Sequence, residues 1–212
     1  MTRAAITGYP ANLVVDGRRC VVVGGGRIAA RKIDALLAAG AQVHVIAPDV
    51  GDEVRDWADG GRLSLEERAF MPADLDGAWL ATTATGVPAV DRAVYEAGEA
   101  RRVWVNSADD PANCSFTLMS VVRRGDLVVT VGTGGRSPAL ATWLRGRLST
   151  EIGPEYETLL ALLSDARESL RAGGRSSEDV DWQQALDSGM LDLIRAGRVD
   201  EAKEMLAACL SS

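Results

Sequence analysis

Short β-branched runs alternate with amphipathic stretches along the first half of the chain. The run Cys20-Val21-Val22-Val23 stops abruptly at Gly24-Gly25-Gly26, which predicts a buried strand and a tight turn. In residues 28–39, Ile28, Ile33, Leu36 and Leu37 fall on one helical face, and Gly40 is placed as a helix stop. Residues 42–47 form a second apolar run, closed by Pro48-Asp49. Together these make a βαβ unit, the crossover that a parallel strand pair requires. The alternation continues with a short helix at 54–58, a weak strand at 63–65, a strand at 79–83, a helix at 87–97 and a strand at 103–106. This grammar predicts an α/β fold: a Rossmann-type, doubly wound parallel sheet with helices on both faces.

Beyond residue 112 the pattern changes. Two β-rich runs within 115–131 surround a Gly125-Asp126 turn, which is a hairpin signal. Ser137-Pro138 then opens a helix, with proline where its missing N–H costs nothing. From Ser149 onward, helices are expected at 154–172, 178–195 and 199–210. The chain is therefore divided into 1–112, 113–148 and 149–212: a Rossmann domain, a central hairpin-plus-helix region and a helical C-terminal part.

Composition narrows the function classes. The 212 residues are 47% hydrophobic, enough for a sizeable core and too apolar for a disordered chain. No apolar run reaches the roughly 20 residues that span a bilayer, and the N-terminus lacks a secretory pattern. A net charge of −7 argues against nucleic acid as a partner. Cys20, Cys114 and Cys209 are odd in number and scattered, so free thiols and a cytoplasmic location are expected. A single histidine, His44, leaves no metal cluster visible; it reads as a strand residue rather than a ligand. The five tryptophans, Trp57, Trp79, Trp104, Trp143 and Trp182, read as packing residues.

Gly24-Gly25-Gly26-Arg27-Ile28-Ala29 fits G-x-G-x-x-A. One glycine makes the turn, a second lets backbone approach a pyrophosphate, and a small third residue lets helix pack on strand. The helix start then offers N–H groups and a positive dipole end to the phosphates. Because the motif follows a strand and opens a helix inside a complete βαβ, it points to NAD. A ribose-binding acid is expected at the end of the second strand, where Ala47 and Pro48 are followed by Asp49. Asp49 reads either as that acid, which favours NAD over NADP, or as a turn residue after proline. Thr83 and Asn106, which close two predicted strands, are further cofactor candidates.

Several motifs occur in a telling order: Val23 to Lys32 around the glycines, Asn106-Ser107-Ala108-Asp109-Asp110-Pro111, Ser115-Phe116, and Gly134-Gly135-Arg136-Ser137-Pro138-Ala139-Leu140-Ala141. In these the chain resembles the precorrin-2 dehydrogenase/sirohydrochlorin ferrochelatase family, the N-terminal module of siroheme synthases, over about residues 8–150. The resemblance implies NAD-dependent dehydrogenation of precorrin-2 to sirohydrochlorin. Some members also insert Fe(II), which makes iron a second candidate substrate. It further implies a homodimer formed through the central region, and a stand-alone form, since no methyltransferase module follows. The family's proposed acid/base aspartate falls on Asp109, and its dinucleotide contacts fall on Arg27, Ile28, Pro48 and Asp49. Substrate candidates are Arg136, Ser137 and Ser115. The residues alone also allow Asp109 and Asp110 to be an Asx turn before Pro111.

The chain departs from the family pattern at Gly86-Val87, where two acids are usual, at Met119, where a proline is common, and at Thr133, where a serine is modified in some members. Precorrin-2 is a polycarboxylate, so its site should be locally basic. Residues 1–91 carry a net −3, residues 92–147 a net +3 and residues 148–212 a net −7. All eight cations of the middle segment are arginines, suited to bidentate carboxylate pairing. At least half of them are expected to be solvated surface charges or to pair with the acidic C-terminal helices. The rival reading is an NAD-sensing regulatory module without catalysis, which would keep the glycine turn but need neither the Asp109 region nor the Gly-Gly-x-Ser-Pro helix start.

Overall fold

The computed structural model describes residues 8–108, 110–176, 178 and 180–211. These divide into two compact units, one ending at Leu118 and the other running from Met119.

The first unit is a five-stranded parallel sheet in the order β3-β2-β1-β4-β5. The strands are β1 (Arg19–Val23), β2 (Gln42–Ile46), β3 (Ser64–Glu66), β4 (Leu80–Thr83) and β5 (Trp104–Ser107). Between them run α1 (Arg27–Ala38), α2 (Asp52–Asp59) and α3 (Pro88–Arg101). A 3-10 turn at Pro72–Leu75, not expected from the sequence, precedes β4.

Strand alternation sorts the core into two layers. Cys20 and Val22 pack with Ala29, Ile33 and Val54 beneath α1 and α2. Val21 and Val23 face the other way, packing with Leu75, Val94 and Ala97 beneath α3. Helices on both faces leave β1 buried from Cys20 to Val23, as the continuous apolar run at 20–23 implied.

The sheet order reverses between β1 and β4, which are register neighbours at Val23 and Thr83. Ligands of open α/β sheets bind in the crevice outside the carboxyl ends of strands at such a reversal. The glycine turn leaves β1 at this point.

The segment 113–118 goes with this unit because it is hydrogen-bonded along β5. The Ser115 amide donates to Val105 O at 2.8 Å, and its Oγ accepts from Val105 N at 2.7 Å.

The second unit begins with the antiparallel pair β6 (Ser120–Arg124) and β7 (Leu127–Val131), the expected hairpin. Helix α4 (Pro138–Glu151) follows, then α5 (Glu155–Ala172), α6 (Trp182–Asp187), α7 (Met190–Arg195) and α8 (Val199–Ser211). The single helix expected over 178–195 is broken. Gly189 sits at φ +93°, a left-handed conformation that ends α6 and starts α7. The break lets Ala185, Met190 and Ile194 share one core with Leu159, Leu162 and Leu206.

Two of the five tryptophans pack as expected: Trp57 against the α1/α2 layer and Trp182 in the helical core. Trp79, Trp104 and Trp143 are each more than half exposed, a correction to the packing expectation. Trp79 lies under the Arg18 guanidinium, 3.5 Å from the ring centroid, and Trp143 is covered by Arg147. A flat ring can be shielded by a cation from outside instead of by a core from inside.

Candidate functional site

The glycine turn is held by backbone. Gly24 N donates to Ile46 O at 2.9 Å, and Gly51 N donates to Gly25 O at 3.0 Å. Gly24 adopts φ +118°, and a Cβ there would lie 2.6 Å from Ala84 O. A Cβ on Gly25 would meet Asp49 O at 2.6 Å and the Val50 side chain. These two glycines therefore let the turn nest between the β2–α2 and β4–α3 loops.

Gly26 differs. It is exposed, has an ordinary negative φ, and a Cβ there would meet nothing within 4 Å. Gly26 is the N-cap of α1 and supplies no side-chain cap for the first-turn N–H groups. Arg27 and Ile28 are exposed beside it, and across the turn Pro48 and Asp49 are exposed as well. An open face, an uncapped helix start and an adjacent acid together fit a dinucleotide pyrophosphate and its ribose.

Thr83 and Asn106 lie on opposite faces of the neighbouring strands. Thr83 is fully buried and donates its hydroxyl to Asp91 of α3. Asn106 is buried too: its Oδ1 accepts from Lys32 Nζ at 2.7 Å, and its Nδ2 donates to Phe116 O at 3.1 Å. Both side chains are thus engaged within the protein. Next to them, Thr82 Oγ1 and Ser107 Oγ are buried without a hydrogen-bond partner among the described residues. These two atoms lie on opposite faces of the sheet, Thr82 in register with Asn106 and Ser107 with Thr83.

Asp109, expected as the acid/base group, lies outside the described residues. Its neighbours are ordered by short contacts. Ala108 N donates to Thr83 O at 2.8 Å, and Cys114 Sγ accepts from Ser107 N at 3.1 Å. Asp110 caps the 3-10 turn Pro111–Asn113, accepting from Ala112 N. The Asx-turn role is thus filled by Asp110.

Ser115 is half-buried, and its hydroxyl mimics a strand edge against Val105. Ser137 and Arg136 belong to the second unit. Ser137 is the N-cap of α4, accepting from Leu140 N at 3.2 Å. Thr133 donates its hydroxyl to Ser137 O at 3.1 Å, which fixes the loop before the helix. Arg136 is exposed and has no side-chain ion pair among the described residues. Other arginines of the basic segment are engaged, but not with acids of the C-terminal helices: Arg101 pairs with Asp76 at 2.7 Å, Arg92 with Glu96, and Arg124 donates to the carbonyl of Ser149.

His44 sits in β2 with its ring nitrogen against Ser64 Oγ. Burial lowers its pKa, Arg19 lowers it further and Glu66 opposes the shift. Among the described residues, no group of three or more His, Cys, Asp or Glu side chains is placed to hold a metal ion. Likewise among them, no helix is long and apolar enough to cross a membrane.

Lys32 and Asp91 carried no assigned role in the sequence reading. Lys32 lies within the helix after the glycines, and Asp91 reads as an ordinary acid in a helical first turn. Their partners are 74 and 8 residues away, so no local spacing announces them.

A nucleotide-binding Rossmann unit is what this sheet order and glycine cradle define. A family model described as putative NAD(P)-binding matches residues 11–120, and the chain belongs to that family. Beyond that unit, the chain is similar to siroheme synthases. It is 36% identical over 203 residues to the siroheme synthase of Nitrosococcus oceani, covering 95% of this chain and 43% of that protein. It is 38% identical over 205 residues to that of Thiobacillus denitrificans, covering 95% and 42%. The chain thus spans less than half the length of these relatives. Among solved structures it is similar to SirC, precorrin-2 dehydrogenase, with a TM-score of 0.75 and 25% identity over 95% of this chain and 100% of that one.

Proposed function

We propose that the chain is an NAD-dependent dehydrogenase that converts precorrin-2 to sirohydrochlorin in siroheme synthesis. The observation that carries this reading is the likeness to a precorrin-2 dehydrogenase over that protein's entire length, helical part included. The glycine cradle supplies the chemistry the reading needs.

The reaction removes a hydride and a proton from the tetrapyrrole. NAD supplies the hydride acceptor when bound. The N–H groups at the start of α1, with Gly26 and the exposed Arg27 and Ile28, are assigned to its pyrophosphate. Asp49 is assigned to the ribose hydroxyl; a carboxylate there repels a 2′-phosphate, which favours NAD over NADP. Thr83 and Asn106 shape the floor of the cradle, since their side chains are already engaged. Asp109 is assigned the proton: in sequence it comes two positions after Ser107, the last residue of β5, and ligands of open α/β sheets bind beyond the carboxyl ends of the strands. Of the three substrate candidates, Arg136 has the exposed guanidinium, and the carboxylate contacts are assigned to it.

A homodimer is part of the proposal. Val121 and Val128 of the hairpin and Leu140 and Trp143 of α4 are large apolar side chains left exposed, which supports a protein contact in the central region.

Incubating precorrin-2 with NAD and following NADH absorbance tests the reading. Turnover is expected, and Asp109→Ala should lose it while still binding NAD. A protein that binds NAD and ignores the tetrapyrrole is a sensor, and the proposal fails. Repeating the assay with Fe(II) reads whether metal insertion follows, against the non-enzymatic rate.

A further inference from the structure

Asp91 is a polar residue buried in α3, 6% exposed, and neither the glycine motif nor the proton transfer uses it. Its Oδ1 accepts two hydrogen bonds, one from Thr83 Oγ1 at the end of β4 and one from Thr85 Oγ1 at 2.7 Å. Thr85 Oγ1 in turn accepts from Val87 N at 3.0 Å, closing a small turn. Ala84 lies between the two threonines. Its N–H donates to Val23 O at 2.9 Å, and its carbonyl is the atom that a Cβ on Gly24 would strike. The carbonyl of Thr83 receives Ala108 N, on the segment that leads to Asp109. The β4–α3 loop is therefore the piece of backbone that meets both the glycine turn and the approach to Asp109, and Asp91 grips it on both sides of Ala84.

We propose that Asp91 is a positioning residue for the cofactor site: its buried carboxyl group holds the β4–α3 loop in the place that shapes the dinucleotide cradle. The simpler role for an acid in a helical first turn is to favour the N-terminal end of its own helix. The hydrogen bonds to Oδ1 argue for more, because one comes from the hydroxyl that ends β4, one from a hydroxyl of the loop, and neither from an N–H of α3. A hydroxyl–carboxyl pair buried on the far side of the sheet from α1 is a means of fixing a loop without occupying the cleft. Site geometry is sensitive to such support, since sub-ångström displacement of backbone donors weakens a bound anion.

This inference rests on NAD as the cofactor, so the test separates the two. NAD binding by the full chain is measured by calorimetric titration, for the unaltered protein and for Asp91→Ala, Asp91→Asn and Thr85→Val. The expected result is an affinity about tenfold lower for Asp91→Ala, with KM for NAD raised and KM for the tetrapyrrole unchanged. Asp91→Asn keeps a carbonyl oxygen for both hydroxyls and should bind within about threefold of the unaltered protein. Thr85→Val should weaken binding on its own, and its effect should not add to that of Asp91→Ala. A folded Asp91→Ala with unchanged NAD affinity overturns the inference, whether or not its Tm falls. Should that variant not fold, Thr85→Val decides: unchanged affinity overturns the inference. Absence of NAD binding by the unaltered protein instead overturns the proposed function.

Discussion

Lys32 of α1 donates its Nζ to Oδ1 of Asn106 in β5 across 2.7 Å. A helix that begins at the glycine turn is thereby tied, past β4, to the strand that leads to Asp109. Lys32→Met keeps the length of the stem but removes the donor, leaving a buried amide oxygen with one partner fewer. The cost of such a loss is about 1–3 kcal/mol. Precorrin-2 turnover is expected to fall by roughly 10- to 100-fold with NAD binding retained, because the strand end carrying the assigned base is displaced. Thermal melts alongside steady-state assays check both parts.

Gly25 and Gly26 should respond differently to alanine. Gly25→Ala places a methyl against Asp49 O and Val50, so the fold is expected to lose roughly 1–3 kcal/mol. Gly26→Ala has open space and an allowed φ, so Tm should hold while NAD binding weakens. Denaturant titration and NAD titration on the same two proteins separate packing from ligand approach. Equal NAD affinity in Gly26→Ala and the unaltered chain would place the pyrophosphate elsewhere.

Arg68 gives the first unit a pH dependence. Its guanidinium bonds Asp74 through two nitrogens and also Glu66. That pairing holds the Asp74 carboxyl below the usual range, helped by the N–H of Met71 and opposed by burial. A carboxyl whose folded pKa is depressed contributes stability that is full above its unfolded value, near 4, and lost as pH falls through the lower folded value. Asp74→Asn is expected to lower Tm by several degrees at neutral pH, and the gap should shrink as the pH drops below about 4. A gap independent of pH would mean the pair contributes by shape alone.

The three thiols should react unequally. Cys20 is fully buried in β1, and burial pushes its pKa up to about 11. Cys114 and Cys209 are half-buried. Alkylation of the native protein followed by mass spectrometry should leave Cys20 unmodified while the other two react; in denaturant all three should react.

Local rules carried most of the fold. The βαβ alternation, the glycine turn, the hairpin around Gly125 and the Ser137-Pro138 helix start are each set by neighbours in sequence, and the structure has them. The break in the helix expected over 178–195 is not legible in the sequence, because a glycine inside a periodic pattern is tolerated in some helices and ends others. Only the packing of Met190 and Ile194 on α5 and α8 selects the break at Gly189. Asn106 and Thr83 were legible as strand ends, but their engagement was not. Whether an amide faces a ligand or a lysine depends on what lies across the sheet.

What the sequence determined by itself is the order of elements, the dinucleotide motif and the family likeness, because these follow from periodicity and from residues adjacent in the chain. Tertiary structure decided the rest. It placed β4 beside β1, so that Ala84 abuts Gly24, and it set Lys32 against Asn106 and Asp91 against Thr83. Those pairings join residues on different elements, and a pairing across a sheet is fixed only when burial and backbone hydrogen bonding select one arrangement for the whole unit.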